Sequence, residues 1–169
     1  PRLFLQGQSP TGSSTGIHLS PDTDRQDMDL TDARVLVTGG AGLVGSHLAA
    51  ALLADAEHVR VADDCSKGDP GRLPDGVEFV EADMCDRSDV ADVVTRDLDV
   101  VFHLAAYTDT NFEDGRRLFE ENTAMTYNVL ERMDEVGVDA FAFTSSSTVY
   151  GEAPRPTPED HAPLEPISV

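Results

Sequence analysis

From Arg34 onward the chain falls into short apolar runs separated by longer mixed segments. Arg34–Thr38 (RVLVT) is a β-branched run too short for a helix and predicts a buried strand. Leu43 to Ala54 follows with Val44, Leu48, Ala51 and Leu52 on one face, which predicts a helix. His58–Ala62 reads as a second strand and Val77–Val80 as a third. Ser88 is placed to cap a helix running through Thr95, with Asp89 and Asp92 near its positive end. Val100–Leu104 is a fourth strand. A long helix from about Glu113 to Val136 places Leu118, Asn122, Thr126, Val129 and Met133 on one face, and Gly137 ends it. Ala140–Thr144 is a fifth strand, and the proline-rich remainder from Ser145 reads as loop.

Strands therefore alternate with helical or crossover segments, and each is short and apolar on both faces. That combination predicts an α/β fold with a parallel sheet covered on both sides. Right-handed crossovers then wind it in two directions, as in a Rossmann-type sheet. No internal repeat is present. Residues Pro1 to about Asp29 differ: they are rich in Gly, Ser, Thr, Pro and Asp and carry no sustained period. They are expected to be a disordered tail or the product of a start assigned too far upstream, with residues 30–169 forming the folded domain. They have neither the charged nor the apolar region of a secretory signal.

Composition narrows the function. The chain carries 12 basic and 32 acidic residues, a formal charge of −20, and Lys67 is its lone lysine. No basic face is available for a nucleic acid, an anionic membrane surface would repel the chain, and no apolar run approaches the roughly 20 residues that span a bilayer. The expectation is a cytoplasmic protein. Aspartate in abundance beside a near-absence of lysine suits a salt-rich, halophilic cytoplasm, where screening confines repulsion to ~3 Å at about 1 M salt. An ordinary acidic protein is the other reading. Cys65 and Cys85 have no spacing that suggests metal or redox chemistry.

The chemistry begins where the first strand runs into Thr38-Gly39-Gly40-Ala41-Gly42-Leu43-Val44-Gly45. Gly39 lets the chain turn off the strand, Gly42 removes a side chain where a pyrophosphate approaches, and Gly45 allows close packing of the helix on the sheet. The helix start offers free N–H groups and a partial positive charge to phosphates. A glycine trio alone is weak, but here it follows a strand and opens an amphipathic helix. Asp63 stands just past the second strand, where a carboxylate can accept from both hydroxyls of an adenosine ribose. The same carboxylate, with Asp64 beside it, would repel a 2′-phosphate, so NAD is favoured over NADP; Lys67 and Arg72 are the groups that could offset this.

With those motifs the chain resembles the NAD-dependent epimerase/dehydratase group of the extended short-chain dehydrogenase/reductase family. The resemblance covers roughly Ala33 to Val169 and rests on TGGAGLVG at 38–45, DD at 63–64, ADM at 82–84, HLAA at 103–106, EENT at 120–123 and TSSSTVYGE at 144–152. It implies that Asp83 and Met84 hold the adenine and that Leu104, Ala105 and Ala106 pass beneath the nicotinamide side. Together with Gly39, Gly42, Leu43, Val44, Gly45, Asp63 and Asp64 these are the cofactor candidates. Asn122 matches an asparagine that orders the fourth strand and an active-site water; in the helix pattern it sits in an apolar stripe and must find partners there. Ser146 matches the catalytic serine, although Ser145, Ser147 or a plain capping role are alternatives from the residues alone. His103 reads as a core histidine, His47 as a helix-packing residue, and His161 and Tyr150 as lining or loop residues.

In the family the general base is the tyrosine of a Tyr-x-x-x-Lys motif, its phenol acidified by the lysine. Counting on from Ser146, that motif falls just past Val169, so the chain is expected to be a front portion, truncated before the catalytic helix and the substrate domain. Such a piece is expected to expose apolar surface on its sheet. The implied parent oxidises a nucleotide-sugar hydroxyl and returns the hydride. The family's 4,6-dehydratases carry an acidic pair after the serine or threonine. Ser147 and Thr148 stand there instead, which favours UDP-sugar 4-epimerisation. A non-catalytic NAD-binding or sensing protein on the same fold is the alternative. A homodimer through the long helix is implied by resemblance only, and no metal is expected.

Overall fold

The computed structural model describes residues 29–108, 115–158 and 160–165. The predicted tail, Pro1 to about Asp29, lies outside these but for its last residue. Among the described residues the elements run β1 (Arg34–Thr38), α1 (Leu43–Leu52), β2 (His58–Asp63), β3 (Glu78–Glu81), α2 (Arg87–Val93), β4 (Val100–His103), α3 (Gly115–Val136) and β5 (Ala140–Phe143). One-turn 3₁₀ helices at Pro70–Arg72 and Ser147–Tyr150 add local turns, the second inside the segment expected to be loop throughout.

The five strands form one parallel sheet in the order β3-β2-β1-β4-β5. The chain winds outward from β1 through β2 to β3, then returns to place β4 on the other side of β1. The doubly wound expectation is therefore met, and the order reverses between β1 and β4. Thr38, the last residue of β1, lies in register with Ala62 of β2 and His103 of β4. All three strands thus end at one level, where an open α/β sheet keeps its crevice.

Alternation along β1 divides the core. Val35 and Val37 face α1 with Val59, Val61, Val100, Ala49 and Leu52. Leu36 faces the other side with Val101, Val90, Val93, Met125, Val129 and Met133 from α2 and α3. Apolarity on both faces holds for the middles of β1 and β4, whereas one face of β2 carries half-buried His58 and Arg60 paired with Glu78, and β3 and β5 are edges whose residues are half-buried or exposed.

Three helix expectations change. On α1 the buried positions are Gly45, Ser46, Ala49 and Leu52, while Val44 and Ala51 face outward. Small residues bring the start of the helix down onto the glycine loop, and this sets its rotation. The cap of α2 is Asp86, whose carboxylate accepts from Ser88 N at 2.7 Å, and the helix ends at Val93, not Thr95. On α3 the innermost row is Met125, Val129 and Met133, with Asn122 and Thr126 flanking it. Gly137 ends α3 as expected, with φ +81° and its N–H returned to the Met133 carbonyl. Phe143 is exposed on the outermost strand, and Leu43 and Val44 of α1 are exposed at the crevice.

Candidate functional site

The crevice at the β1/β4 reversal is a cavity of about 740 Å³, within the size range of small-molecule and cofactor sites. Gly39, Gly42, Leu43, Val44, Gly45, Asp63, Asp64, Asp83, Met84, Leu104, Ala105 and Ala106 all line it. These come from four separate strand ends, and the parallel register brings them together. Asn122 and Ser146 do not line it.

The glycines divide the work differently from the expectation. Gly39 has φ +67°, and a Cβ there would stand 2.6 Å from Ala105 N, so the turn and the closeness of β4 both require glycine. A Cβ on Gly45 would meet Gly39 O at 2.4 Å and Gly40 Cα at 2.5 Å. The helix thus packs on the loop's own backbone, and the contact with the sheet belongs to Gly40, whose Cβ would strike Val61 at 2.6 Å. Gly42, at the α1 N-cap with ordinary φ, would meet only Gly39 O at 3.2 Å. It keeps the cavity wall bare. Among the described residues no side chain caps α1 and no acid lies in its first turn, which leaves the amides at the helix start without a side-chain acceptor from the cap or the first turn.

Asp63 is buried, and both of its oxygens are engaged: Oδ2 accepts from Ala41 N at 3.0 Å and Oδ1 from Cys65 N at 2.9 Å. It ties the glycine loop to the turn after β2. Each oxygen keeps a second lone pair that can accept a further hydrogen bond from the cavity side. Gly68 is its companion, since a Cβ there would stand 2.4 Å from Asp63 Oδ1. Asp64 is exposed, with Oδ1 accepting from Ser66 N and Oγ. Asp83 accepts from Cys85 N through Oδ1, and Met84 is buried beneath it. Cys85 lines the cavity as well; burial, with Asp83 and Glu121 nearby, pushes its thiol up to about 11, so it is no nucleophile at neutral pH. Both cysteines are free.

Behind the wall runs a buried hydrogen-bond chain. Ala105 N–H donates to Thr38 Oγ1 at 3.2 Å, Thr38 Oγ1 lies 2.7 Å from His103 Nδ1, and Thr126 Oγ1 lies 3.2 Å from His103 Nε2. Thr126 spends its own proton on the Asn122 carbonyl at 3.0 Å. It must therefore accept from Nε2–H, which leaves Nδ1 to accept from the Thr38 hydroxyl. Burial lowers the His103 pKa to about 4, and the neutral ring is a structural group, as expected. The Asn122 side chain grips the backbone of Tyr107: Oδ1 accepts from Tyr107 N at 2.7 Å and Nδ2 donates to Tyr107 O at 3.2 Å. Its partner is the segment after β4, which is why it stands behind the cavity rather than in it.

Ser146 is exposed and caps the second 3₁₀ turn, accepting from Thr148 N at 3.2 Å with its hydroxyl 2.8 Å from Thr148 Oγ1. Thr144 is the residue of that region on the cavity wall. His161 lies near the Tyr150 ring, and His47 is exposed, its ring returned to the Leu43 carbonyl instead of packing. The residues missed in the sequence are Thr38, Gly40, Gly68, Tyr107 and Arg117. The available signals were a hydroxyl closing an apolar strand, and glycines without a motif role. Among the described residues no group of His, Cys, Asp or Glu is arranged to hold a metal ion, and no helix is long and apolar enough to cross a membrane.

Comparison with known proteins adds independent information. The profile of the NAD dependent epimerase/dehydratase family matches residues 35–169. A putative UDP-arabinose 4-epimerase 2 of Arabidopsis thaliana is 30% identical, covering 98% of this chain and 41% of that protein. A UDP-glucose 4-epimerase of Halalkalibacterium halodurans is 36% identical over 70% of this chain and 36% of its own length. Among solved structures, a UDP-galactose 4-epimerase aligns with 40% identity and TM-score 0.66 over 80% of this chain and 45% of that one. The UDP-glucose 4-epimerase of Thermus thermophilus in complex with NAD aligns with 34% identity and TM-score 0.68, again over 80% and 45%. The chain spans less than half the length of each of these relatives.

Proposed function

The chain belongs to the NAD-dependent epimerase/dehydratase family, and from that premise we propose that it is the cofactor-binding portion of a UDP-sugar 4-epimerase. The observation that carries the reading is the convergence of four strand ends on one cavity, with the bare Gly42 wall at the helix start and a buried carboxylate bonded to the same loop. NAD, when bound, supplies reversible hydride acceptance. The amides of Leu43 and Val44 would face its pyrophosphate. The remaining lone pairs of Asp63 and the free oxygen of Asp64 would take the adenosine ribose, and Asp83 the adenine amine. Leu104, Ala105 and Ala106 would form an apolar floor beneath the nicotinamide.

Ser146 is assigned to the sugar hydroxyl at C4. Its oxygen accepts from Thr148 N, and with Thr148 Oγ1 donating to it as well the Ser146 O–H is left to donate to a sugar hydroxyl. The general base belongs to the Tyr-x-x-x-Lys motif expected just past Val169. Removing the C4 hydrogen and returning it to the opposite face inverts the centre with no net oxidation. Nucleotide-sugar 4-epimerisation is favoured over elimination because Ser147 and Thr148 offer no acid to protonate a leaving hydroxyl.

Two measurements test this. Calorimetric titration of the 169-residue chain with NAD and NADP should show saturable binding of NAD and weaker binding of NADP; no NAD binding would overturn the reading. Reading the coding sequence beyond the Val169 codon should give Tyr-x-x-x-Lys, and that product should interconvert UDP-glucose with UDP-galactose or UDP-arabinose with UDP-xylose. A tyrosine-free continuation would leave a non-catalytic NAD-binding protein.

A further inference from the structure

Tyr107 sits where three elements meet at the cavity. Its backbone, two residues past the Leu104–Ala105 floor, is held on both sides by the single Asn122 side chain of α3. Its ring receives two cations from different parts of the fold. Lys67 Nζ, on the turn after β2, lies 5.6 Å from the ring centroid, and Arg117 Cζ, on the first turn of α3, lies 5.2 Å from it. Lys67, Tyr107 and Arg117 all line the cavity. Arg117 is itself oriented by Glu121, whose Oε1 accepts from Nε at 2.7 Å.

This placement is unusual for so acidic a chain. Lys67 is the lone lysine, and it reaches across from the ribose side of the crevice to the β4–α3 side. A ring fixed by its own backbone and engaged by a cation from each wall is a cross-tie over the space between them. Cations within about 6 Å of an aromatic centroid are attracted by its quadrupole even at exposed sites.

We propose that Tyr107, tied to Lys67 and Arg117, is the residue that retains the cofactor by closing the cavity between its two walls. The inference rests on the NAD-binding reading above and deepens it. In a redox-neutral isomerisation the hydride removed from C4 must be the one given back, so escape of the cofactor in mid-cycle would strand a ketone. A cross-tie acts on release and leaves the contacts to ribose and adenine unchanged.

The test is the rate at which preloaded NADH leaves the protein, followed by its fluorescence after a chase with excess NAD. Tyr107→Leu is expected to accelerate release by about ten-fold, the combined effect of two exposed cation–ring contacts. Tyr107→Phe, which keeps the ring, restores slow release. Lys67→Met, at an exposed position that poses no folding risk, accelerates release in the wild-type background and has no further effect in Tyr107→Leu. Equal release from wild type and Tyr107→Leu overturns the proposal. So does a Lys67→Met effect of the same size in both backgrounds, which would mean the ammonium holds the cofactor directly. If the wild-type chain binds no NADH at all, the NAD-binding reading itself fails; if it binds and the variants release alike, only the cross-tie fails.

Discussion

The hydroxyl of Thr38, at the end of β1, lies 2.7 Å from Nδ1 of His103, at the end of β4, with both side chains buried. With Thr126 on the other ring nitrogen, this contact fixes the ring proton on Nε2, and burial keeps the imidazole neutral. Folding therefore discriminates against the imidazolium. The folded pKa of about 4 lies below the ordinary 6.5, so the unfolded chain takes up a proton that the folded chain refuses between those values. The stabilisation is complete above pH 6.5 and is lost as pH falls through about 4. It amounts to on the order of 3 kcal/mol. Urea unfolding of wild type should lose about that much from pH 7 to 4, and His103→Asn, though less stable throughout, should show a flatter acid limb. Parallel limbs in the two proteins would remove His103 as the cause.

Asp63→Asn should weaken both the fold and the cofactor site. The carboxylate accepts from two backbone N–H groups, Ala41 and Cys65, one on each oxygen. An amide can accept at one and must turn its NH₂ on the other donor. The loss of a buried hydrogen bond costs about 1–3 kcal/mol. Chemical unfolding should register that cost, and calorimetry should show weakened NAD binding. A variant with wild-type stability would mean that the loop pairing is incidental.

Gly39 and Gly42 should separate folding from binding. Gly39→Ala combines a left-handed φ with a collision against Ala105 backbone, and should cost about 2–4 kcal/mol of stability. Gly42→Ala has allowed dihedrals and only one tight neighbour, so stability should change by less than about 1 kcal/mol. Its methyl group would fill the bare wall proposed for the pyrophosphate, and on that proposal NAD affinity should fall by about ten-fold or more. Thermal melts with and without NAD distinguish the two. Ligand-induced stabilisation that survives in Gly42→Ala would place the phosphates elsewhere.

Salt should stabilise this chain. At a formal charge of −20 the folded state repels itself, and raising ionic strength from about 0.1 to 1 M shortens the screening length from about 10 to 3 Å. The exposed ion pairs, such as Arg116–Glu120 and Arg117–Glu121, weaken under the same change but contribute little. Melting temperature in KCl should therefore rise across this range. A fall would show that local pairs outweigh the net charge.

Much of the fold is legible in the chain because periodicity is a local property. Val35-Leu36-Val37 is bounded by a glycine-rich turn and can only be a buried strand, and each β–α unit carries its own stop signals. The glycine loop is legible for the same reason, since Gly39 through Gly45 adjoin one another, and Asp63 follows from its place at the end of the second apolar run, where it proves to be the last residue of β2. The packing of α1 and the true cap of α2 are read less well: rotation depends on where Gly45 meets the loop, and Asp86 competes with Ser88 only in a formed turn. The sequence by itself determines which segments are strands, their parallel winding, and the chemistry offered at the end of β1. Tertiary structure alone decides what that chemistry touches. It pairs Thr38 with His103 across 65 residues, spends both Asp63 oxygens on loop amides, seats Gly40 on Val61, and turns Asn122 to Tyr107. These contacts join residues from separate elements, and their partners are fixed only when the sheet sets the register that brings the strand ends level.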